Sequence, residues 1–210
     1  RRMQEFLEDT GLPDLQELSA ALGERADRAM RRAIAEVPDG SWYAEIAADG
    51  FDDKKTLIAC RVTVTGETMA IDFSGTSPQI DRGINCVMNY THAYSVYPVK
   101  CALDPFTPRN EGSYKAITVT APERCILNPV YPAPGSARQL TGHLLAGAIY
   151  KALSQVIPEK IIAECGGAPT MRALFSGNKH DGDSFSQVLF ASGGMGACPH
   201  KDGMGATAFP

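Results

Sequence analysis

The chain of 210 residues is long enough to bury a core without a metal or disulfide staple, and its 44% hydrophobic and 21% charged residues exclude a disordered or fibrous protein. Its formal charge of −4 excludes a nucleic-acid module, whose phosphate contacts need a net basic face. No apolar run approaches the roughly 20 residues of a membrane span, and the opening RRMQEFLEDTG lacks the apolar stretch of a signal peptide, so a soluble, cytoplasmic protein is expected.

The chain opens inside what reads as a helix, without an initiator Met, and stops at GMGATAFP after a glycine-rich stretch. It is expected to be part of a longer polypeptide. Composition changes near residue 55. Up to Lys55 there are 13 acidic and 8 basic residues with four Gly and two Pro, whereas the remainder holds 16 Gly and 12 Pro. Residues 1–55 therefore read as a helical segment leading into a first strand, and residues 56–210 as a mixed core. From Pro13 to Val37, Leu15, Leu18, Leu22, Ala26, Met30, Ala33 and Ile34 lie on a helical stripe. Glu24 with Arg28 and Asp27 with Arg31 support its outer face at i, i+4 spacing. Pro38-Asp39-Gly40 ends it.

Three strands follow. Trp42, Ala44, Ile46 and Ala48 alternate with polar neighbours, Thr56 to Thr65 is rich in β-branched residues, and Thr68 to Phe73 comes after the hairpin signal Gly66-Glu67. Together they predict an antiparallel meander. Beyond it the spacing predicts a helix over 91–103, a strand near 116–120, a second helix over 140–156, and strands at 160–164, 172–175 and 185–191. Gly142 and Gly147 inside the second helix each cost something like 1 kcal/mol against Ala, so close packing against another backbone is expected there. An α+β class follows.

Six cysteines, Cys60, Cys86, Cys101, Cys125, Cys165 and Cys198, are widely spaced with no CxxC, so reduced thiols are expected. The four histidines form no HxxxH or HExxH, and the sequence supports no metal site of its own. Three polar loops with glycine are the candidate sites. Asp72-Phe73-Ser74-Gly75 closes a strand and leads through Thr76-Ser77-Pro78-Gln79 to Asn85; its carboxylate, hydroxyls and amides suit a polar substrate or a phosphate, and equally a tight turn in which Asp72 satisfies loop amides. Asn110-Glu111-Gly112 could line a cleft, or serve as turn chemistry alone. The stretch from Gly193 to Gly205, with Gly194 inside it, is neither GxGxxG nor GxxxxGK[ST], so no nucleotide fold is indicated. It allows a close backbone approach to a ligand or to another segment, with Cys198, His200, Lys201 and Asp202 at hand. Cys198 with His200 could in principle form a nucleophile and base pair, but residues two apart in an extended loop often diverge.

The series DFSGTSPQ (72–79), GINC (83–86), CALDP (101–105), RNEGSYKAITV (109–119), LNPVYPAP (127–134) and GGMGACPHKDGMGATAFP (193–210), in this order, resembles the hydantoinase B/oxoprolinase family. The resemblance covers nearly the whole chain. Ala197-Cys198-Pro199-His200 departs from it, standing where more basic or glycine-rich residues are common.

The resemblance implies a B-type subunit, or part of one, of an ATP-dependent enzyme that opens cyclic amides such as hydantoins, 5-oxoproline or caprolactam. A hydantoinase A-type partner would bind ATP and activate the substrate carbonyl as a phosphorylated species. ATP and a divalent metal are expected in the complete enzyme, the metal ligands lying before this segment. Carried over by position, the polar candidates are Asp72, Ser74, Asn85, Asn110, Glu111 and Asp202. Asp72, Glu111 and Asp202 are the expected catalytic residues, Asp202 by closing the glycine-rich loop. Ser74, Gly75, Asn85, Asn110 and Gly194 are the expected substrate contacts. Two other readings stay open: a component of an acetone- or acetophenone-type carboxylase, and a non-catalytic scaffold for subunit assembly.

Overall fold

A computed structural model describes residues 2–51, 53–164, 172–190 and 193–205. Strand β2 (Thr56–Thr65) organises its centre. Its β-branched residues suit a pleated surface, and Ile58, Cys60, Val62 and Val64 on one face are at most 1% exposed. On one side β1 (Gly40–Ala48) pairs with it antiparallel, from Gly40 opposite Val64 to Ala48 opposite Thr56. On the other side β3 (Thr68–Asp72) pairs antiparallel from Thr65 opposite Thr68 to Arg61 opposite Asp72. The meander forms as its pattern predicts. Gly66 turns the chain at φ +57, and Asp39 Oδ1 accepts a hydrogen bond from its N–H at 2.7 Å. Because β1 pairs along the length of β2, the composition change at residue 55 falls in the link between two paired strands.

The fourth strand, β4 (Ile117–Thr120), lies parallel to β3, with Met69 opposite Ile117 and Asp72 opposite Thr120. Parallel neighbours need a crossover, and helix α3 (Met88–Leu103) lies in it. The sheet order is β1-β2-β3-β4. Helix α2 (Gln16–Ala35) packs on β3, α3 on β4, and α4 (Gln139–Leu153) on β1, β2 and α3. Between these layers Met30, Ile34, Ile71, Phe73, Leu145 and Ile149 are at most 1% exposed, each contributing about 2 kcal/mol of apolar burial. The result is a mixed sheet with helices on one face, an α+β fold. The other face turns Ser41, Tyr43, Glu45, Arg61 and Thr118 outward.

Helix α4 and the turn that follows it also close the outer edge of the sheet. Lys151 Nζ donates to the Glu45 carbonyl and Gln155 Nε2 to the Tyr43 carbonyl, each at 2.9 Å. The two glycines of α4 do accept close neighbours, but these are side chains and not backbone. A Cβ at Gly142 would lie 2.5 Å from Tyr90 Cε1, and one at Gly147 would lie 2.7 Å from Glu164 Oε2 and 2.9 Å from Ile46 Cδ1.

Helix α1 (Arg2–Thr10) buries none of its residues. The strand expected at 160–164 does not form. Pro158–Lys160 is a 3-10 turn, Ile161 drops into the core, and the backbone hydrogen bond from Ala163 N to Ala197 O, 2.8 Å, is no ladder. The last strands, β5 (Arg172–Asn178) and β6 (Ser184–Phe190), form a separate antiparallel hairpin, running beyond the expected 172–175. Ala191 lies outside the described residues.

Candidate functional site

Asp72 ends β3 on the outward face of the sheet, where one carboxylate oxygen gathers three donors. Oδ1 accepts from Ser74 N at 3.0 Å, Ser74 Oγ at 2.8 Å and Thr120 Oγ1 at 3.4 Å. The first two follow from local sequence, an aspartate bonding its own chain two residues on. The third depends on the parallel β3–β4 register. Gly75, at φ +95, reverses the chain so that Thr76 and Ser77 run beside β2. Thr76 Oγ1 accepts from Ala59 N and donates to Ala59 O, both at 3.1 Å. Ser77 Oγ accepts from Leu57 N, and Ser77 N donates to Leu57 O, both at 2.9 Å. Hydroxyls thus extend the sheet where β3 leaves it. Ser74 and Gly75 stay exposed at the rim. Beside them, Arg61 stands opposite Asp72 in register, its guanidinium carbon 5.2 Å from the Tyr43 ring centre. The Tyr43 hydroxyl bonds Glu45, which raises its pKa.

Asn85 is 1% exposed and its side chain is spent on main chain. Oδ1 accepts from Ile80 N at 3.0 Å, while Nδ2 donates to Ile80 O, Arg82 O and Pro134 O at 2.7, 2.9 and 2.7 Å. It ties the 80–86 loop to the proline-rich loop, and no polar atom of its amide is left for a ligand. Thr91 and Thr141 fasten the same layer by donating to Leu127 O and Ile84 O, each at 2.7 Å.

Asn110 and Glu111 sit before β4, at its opposite end from Asp72, with the four-residue strand, roughly 10 Å or more, between them. Asn110 Oδ1 caps a 3-10 turn (Glu111–Tyr114) by accepting from Gly112 N at 2.9 Å, and Asn110 Nδ2 donates to Leu22 O at 3.2 Å. Glu111 is exposed. With Lys115, Gln16, Ser19 and Gly23 it lines a shallow groove of about 580 Å³ beside α2.

The glycine-rich stretch folds back on itself. Met195 N donates to Met204 O at 2.8 Å, and Cys198 and Lys201 exchange backbone hydrogen bonds at 2.9 and 3.1 Å. A Cβ at Gly196 would lie 1.8 Å from Ala163 O, and one at Gly194 would lie 3.1 Å from Met204 O, so these glycines serve contacts within the chain. Asp202 is exposed on this turn. The sheet therefore unites Asp72, Ser74 and Gly75 at one strand end and keeps Glu111 apart from them.

Thr120 and Arg61 escape a sequence reading because only the strand register brings them to Asp72. Lys100 and Asp104 escape it too: Nζ lies 2.6 Å from Oδ2 and both side chains are nearly enclosed. Burial acts to raise the Asp104 carboxyl, but hydrogen bonds from Lys100 and Thr107 outweigh it and leave the group below its usual range. Burial pushes the Cys60 and Cys86 thiols up to about 12, so neither is a nucleophile at neutral pH. Among the described residues no three His, Cys, Asp or Glu side chains stand close enough to hold a metal ion, so these residues do not fit a divalent-metal centre. No described helix is long and apolar enough to cross a membrane. What the rim at Asp72 offers is hydrogen bonding and charge.

A one-sided mixed sheet with a polar rim at the β3 end defines the class of fold, and comparison with known proteins supplies the family. The hydantoinase B/oxoprolinase family model matches residues 1–210, and the chain belongs to that family. It is 33% identical to a protein assigned as the B component of a D-/L-hydantoinase in Pseudomonas sp. (strain NS671), over 98% of this chain and 36% of that one. The fold is shared with the ATP-dependent caprolactamase of Pseudomonas jessenii (TM-score 0.84, 24% identity, 97% of this chain and 36% of that one). It is also shared with acetone carboxylase (TM-score 0.68, 18% identity, 87% of this chain and 27% of that one). The chain spans about a third of the length of these relatives.

Proposed function

We propose that the full-length protein is the B-type subunit of an ATP-dependent cyclic amidohydrolase, opening a hydantoin, 5-oxoproline or a related lactam together with a hydantoinase A-type partner in the cytoplasm. The observation that carries this reading is the 33% identity to the B component of a hydantoinase over 98% of the chain. ATP and the divalent metal belong, in this reading, to the partner and to polypeptide outside these residues. An unstrained lactam resists opening in water, and ATP would supply the driving force. This chain contributes the rim at the end of β3. Asp72, held in place by Ser74 N–H and Thr120, accepts the amide N–H of the ring, and its carbonyl oxygen is received by the backbone N–H at Gly75 and by Ser74 Oγ, whose single proton turns from Asp72 to the substrate. Glu111, at the opposite end of β4 from that rim, positions α2, and Asp202 closes the glycine-rich turn.

The test is the full-length protein with its A-type partner, ATP and a panel of hydantoins, 5-oxoproline and caprolactam. Ring opening coupled to ATP hydrolysis is expected. Bicarbonate-dependent turnover of acetone or acetophenone, with no ring opening, would move the protein to the carboxylase branch, which the likeness to acetone carboxylase supports.

A further inference from the structure

The four strands of the central sheet contain a single cation, Arg61, and it is exposed. It lies in a row that crosses the outward face, because Tyr43 pairs with Arg61, Arg61 with Asp72 and Asp72 with Thr120. Opposite charges facing each other across an antiparallel pair ordinarily close on one another. Arg61 and Asp72 do not. The guanidinium leans the other way, over the Tyr43 ring, and among the described residues it makes no ion pair or hydrogen bond. Asp72 keeps a free oxygen as well, since Ser74 and Thr120 bond only Oδ1 and no described residue donates to Oδ2.

A guanidinium over a tyrosine face is attracted by the ring, and Tyr43 is itself fixed by the bond from its hydroxyl to Glu45. A fork shaped for carboxylates is thereby set in place with its N–H groups unspent. The surroundings leave it accessible. The next row across the sheet, Ser41, Thr63, Ala70 and Thr118, has only small side chains, the Ser41 and Thr63 hydroxyls lying 3.0 Å apart. On the other side the chain at Gly75 arches over Ala59, so that a Cβ at Gly75 would lie 3.4 Å from Ala59 Cβ. Ala59 is two residues from Arg61 on the same strand, and Ser74 is two residues from Asp72. Arg61, Asp72 and the Ser74–Gly75 turn are therefore three corners of one patch: a cationic fork, an acceptor and neutral donors.

We propose that Arg61 binds a carboxylate carried by the substrate on the ring carbon next to the amide nitrogen, so that the site selects cyclic amides derived from amino acids, such as 5-oxoproline, over neutral lactams. The inference rests on the amidohydrolase reading above and narrows it. Such a ring presents a carboxylate, an N–H and a carbonyl around one edge, and the patch offers each its complement. Asp72 alone would repel a carboxylate, and the cation beside it offsets that repulsion. A guanidinium can also grip both carboxylate oxygens at once, which a lysine cannot.

The test uses the full-length protein assembled with its A-type partner. Binding of 5-oxoproline and of pyrrolidinone, the same ring without the carboxylate, is measured by calorimetry in the absence of ATP, and ATP-dependent ring opening is followed in parallel. The parent is expected to prefer 5-oxoproline by about thirtyfold, the worth of hydrogen bonds to a charged group. Arg61→Gln is expected to abolish the preference by weakening 5-oxoproline, and in turnover the loss should fall on KM more than on kcat. Arg61→Lys should restore part of the preference, and Tyr43→Leu, which removes the ring beneath the guanidinium, should reduce it severalfold. A parent that binds the two rings alike, or neither, overturns the proposal. So does a preference that survives in Arg61→Gln, and so does equal weakening of both rings, which would make Arg61 a structural residue. Unchanged binding with turnover lost also overturns it, the phosphoryl group of the activated carbonyl then being the partner of Arg61. Where any of these comes with ATP-dependent ring opening by the parent, the proposed function stands without the carboxylate site. A preference that Arg61→Gln abolishes, with no ring opening of any cyclic amide, leaves the carboxylate site and removes the hydrolase.

Discussion

Gly112 faces the carbonyl of Gly23 so closely that a Cβ at position 112 would lie 1.9 Å from that oxygen. The obstacle is backbone of α2, which cannot swing aside as a side chain can. The RNEGSYK motif is therefore a seat for α2, reinforced by the hydrogen bond from Asn110 Nδ2 to the Leu22 carbonyl.

Gly112→Ala is expected to cost about 2–3 kcal/mol, the range for forcing extra volume into a packed contact. Urea unfolding measures the loss, and amide exchange should show α2 opening more often than β2. A variant as stable as the parent would mean that the helix and the turn do not meet as described.

Asn85→Ala strands the N–H and the carbonyl of Ile80, while the Arg82 and Pro134 carbonyls keep the backbone N–H groups of Ile84 and of residue 85. The expected loss is about 3 kcal/mol, since each buried polar group stranded in this way costs about 1–3 kcal/mol. If turnover by the properly folded variant collapsed while its unfolding midpoint stayed put, Asn85 would be a ligand residue after all.

Asp104→Asn should destabilise the protein by about 3 kcal/mol at neutral pH, because the buried Lys100 ammonium keeps the carbonyl of residue 104 but loses its counter-charge. The carboxyl is depressed in the folded state, so its stabilising effect is complete above the unfolded pKa of about 4 and is lost as the pH falls through the lower folded value. The difference between parent and variant is therefore expected to shrink below about pH 4. The double change Lys100→Met with Asp104→Leu should recover most of the loss. Unfolding curves from pH 3 to 7 decide the matter.

The three acidic candidates are separable by kinetics in the assembled enzyme. Asp72→Asn is expected to lower kcat/KM by about a hundredfold, as loss of a positioning or proton-accepting group does. Glu111→Gln and Asp202→Asn should stay within about threefold. Equal, full activity in all three variants would favour a scaffold role for the chain.

The meander and helix α2 are legible because each is written in a local period, alternation for β1 to β3 and a 3.6-residue stripe for α2. Residues 160–164 mislead for the same reason. KIIAE is apolar enough for a strand, but Pro158 starts a 3-10 turn and no described neighbour offers a ladder. The site is legible as loops and not as a constellation. Asp72 with Ser74 is a two-residue relation that a sequence displays. Asp72 with Thr120 spans 48 residues and exists because β4 runs parallel to β3. The Lys100–Asp104 pair is an ordinary i, i+4 spacing on paper, and only its enclosure makes it costly to break.

The capping of β1 by Lys151 and Gln155 gives the sheet a direction of growth. A strand arriving from another polypeptide at that edge would first have to displace two side-chain hydrogen bonds to the very carbonyls it needs. Edge-to-edge association is blocked there by the protein's own helix and the turn after it, a safeguard against stacking between copies. Any extension of this sheet by neighbouring polypeptide has its open route at β4, next to the strand end that holds Asp72.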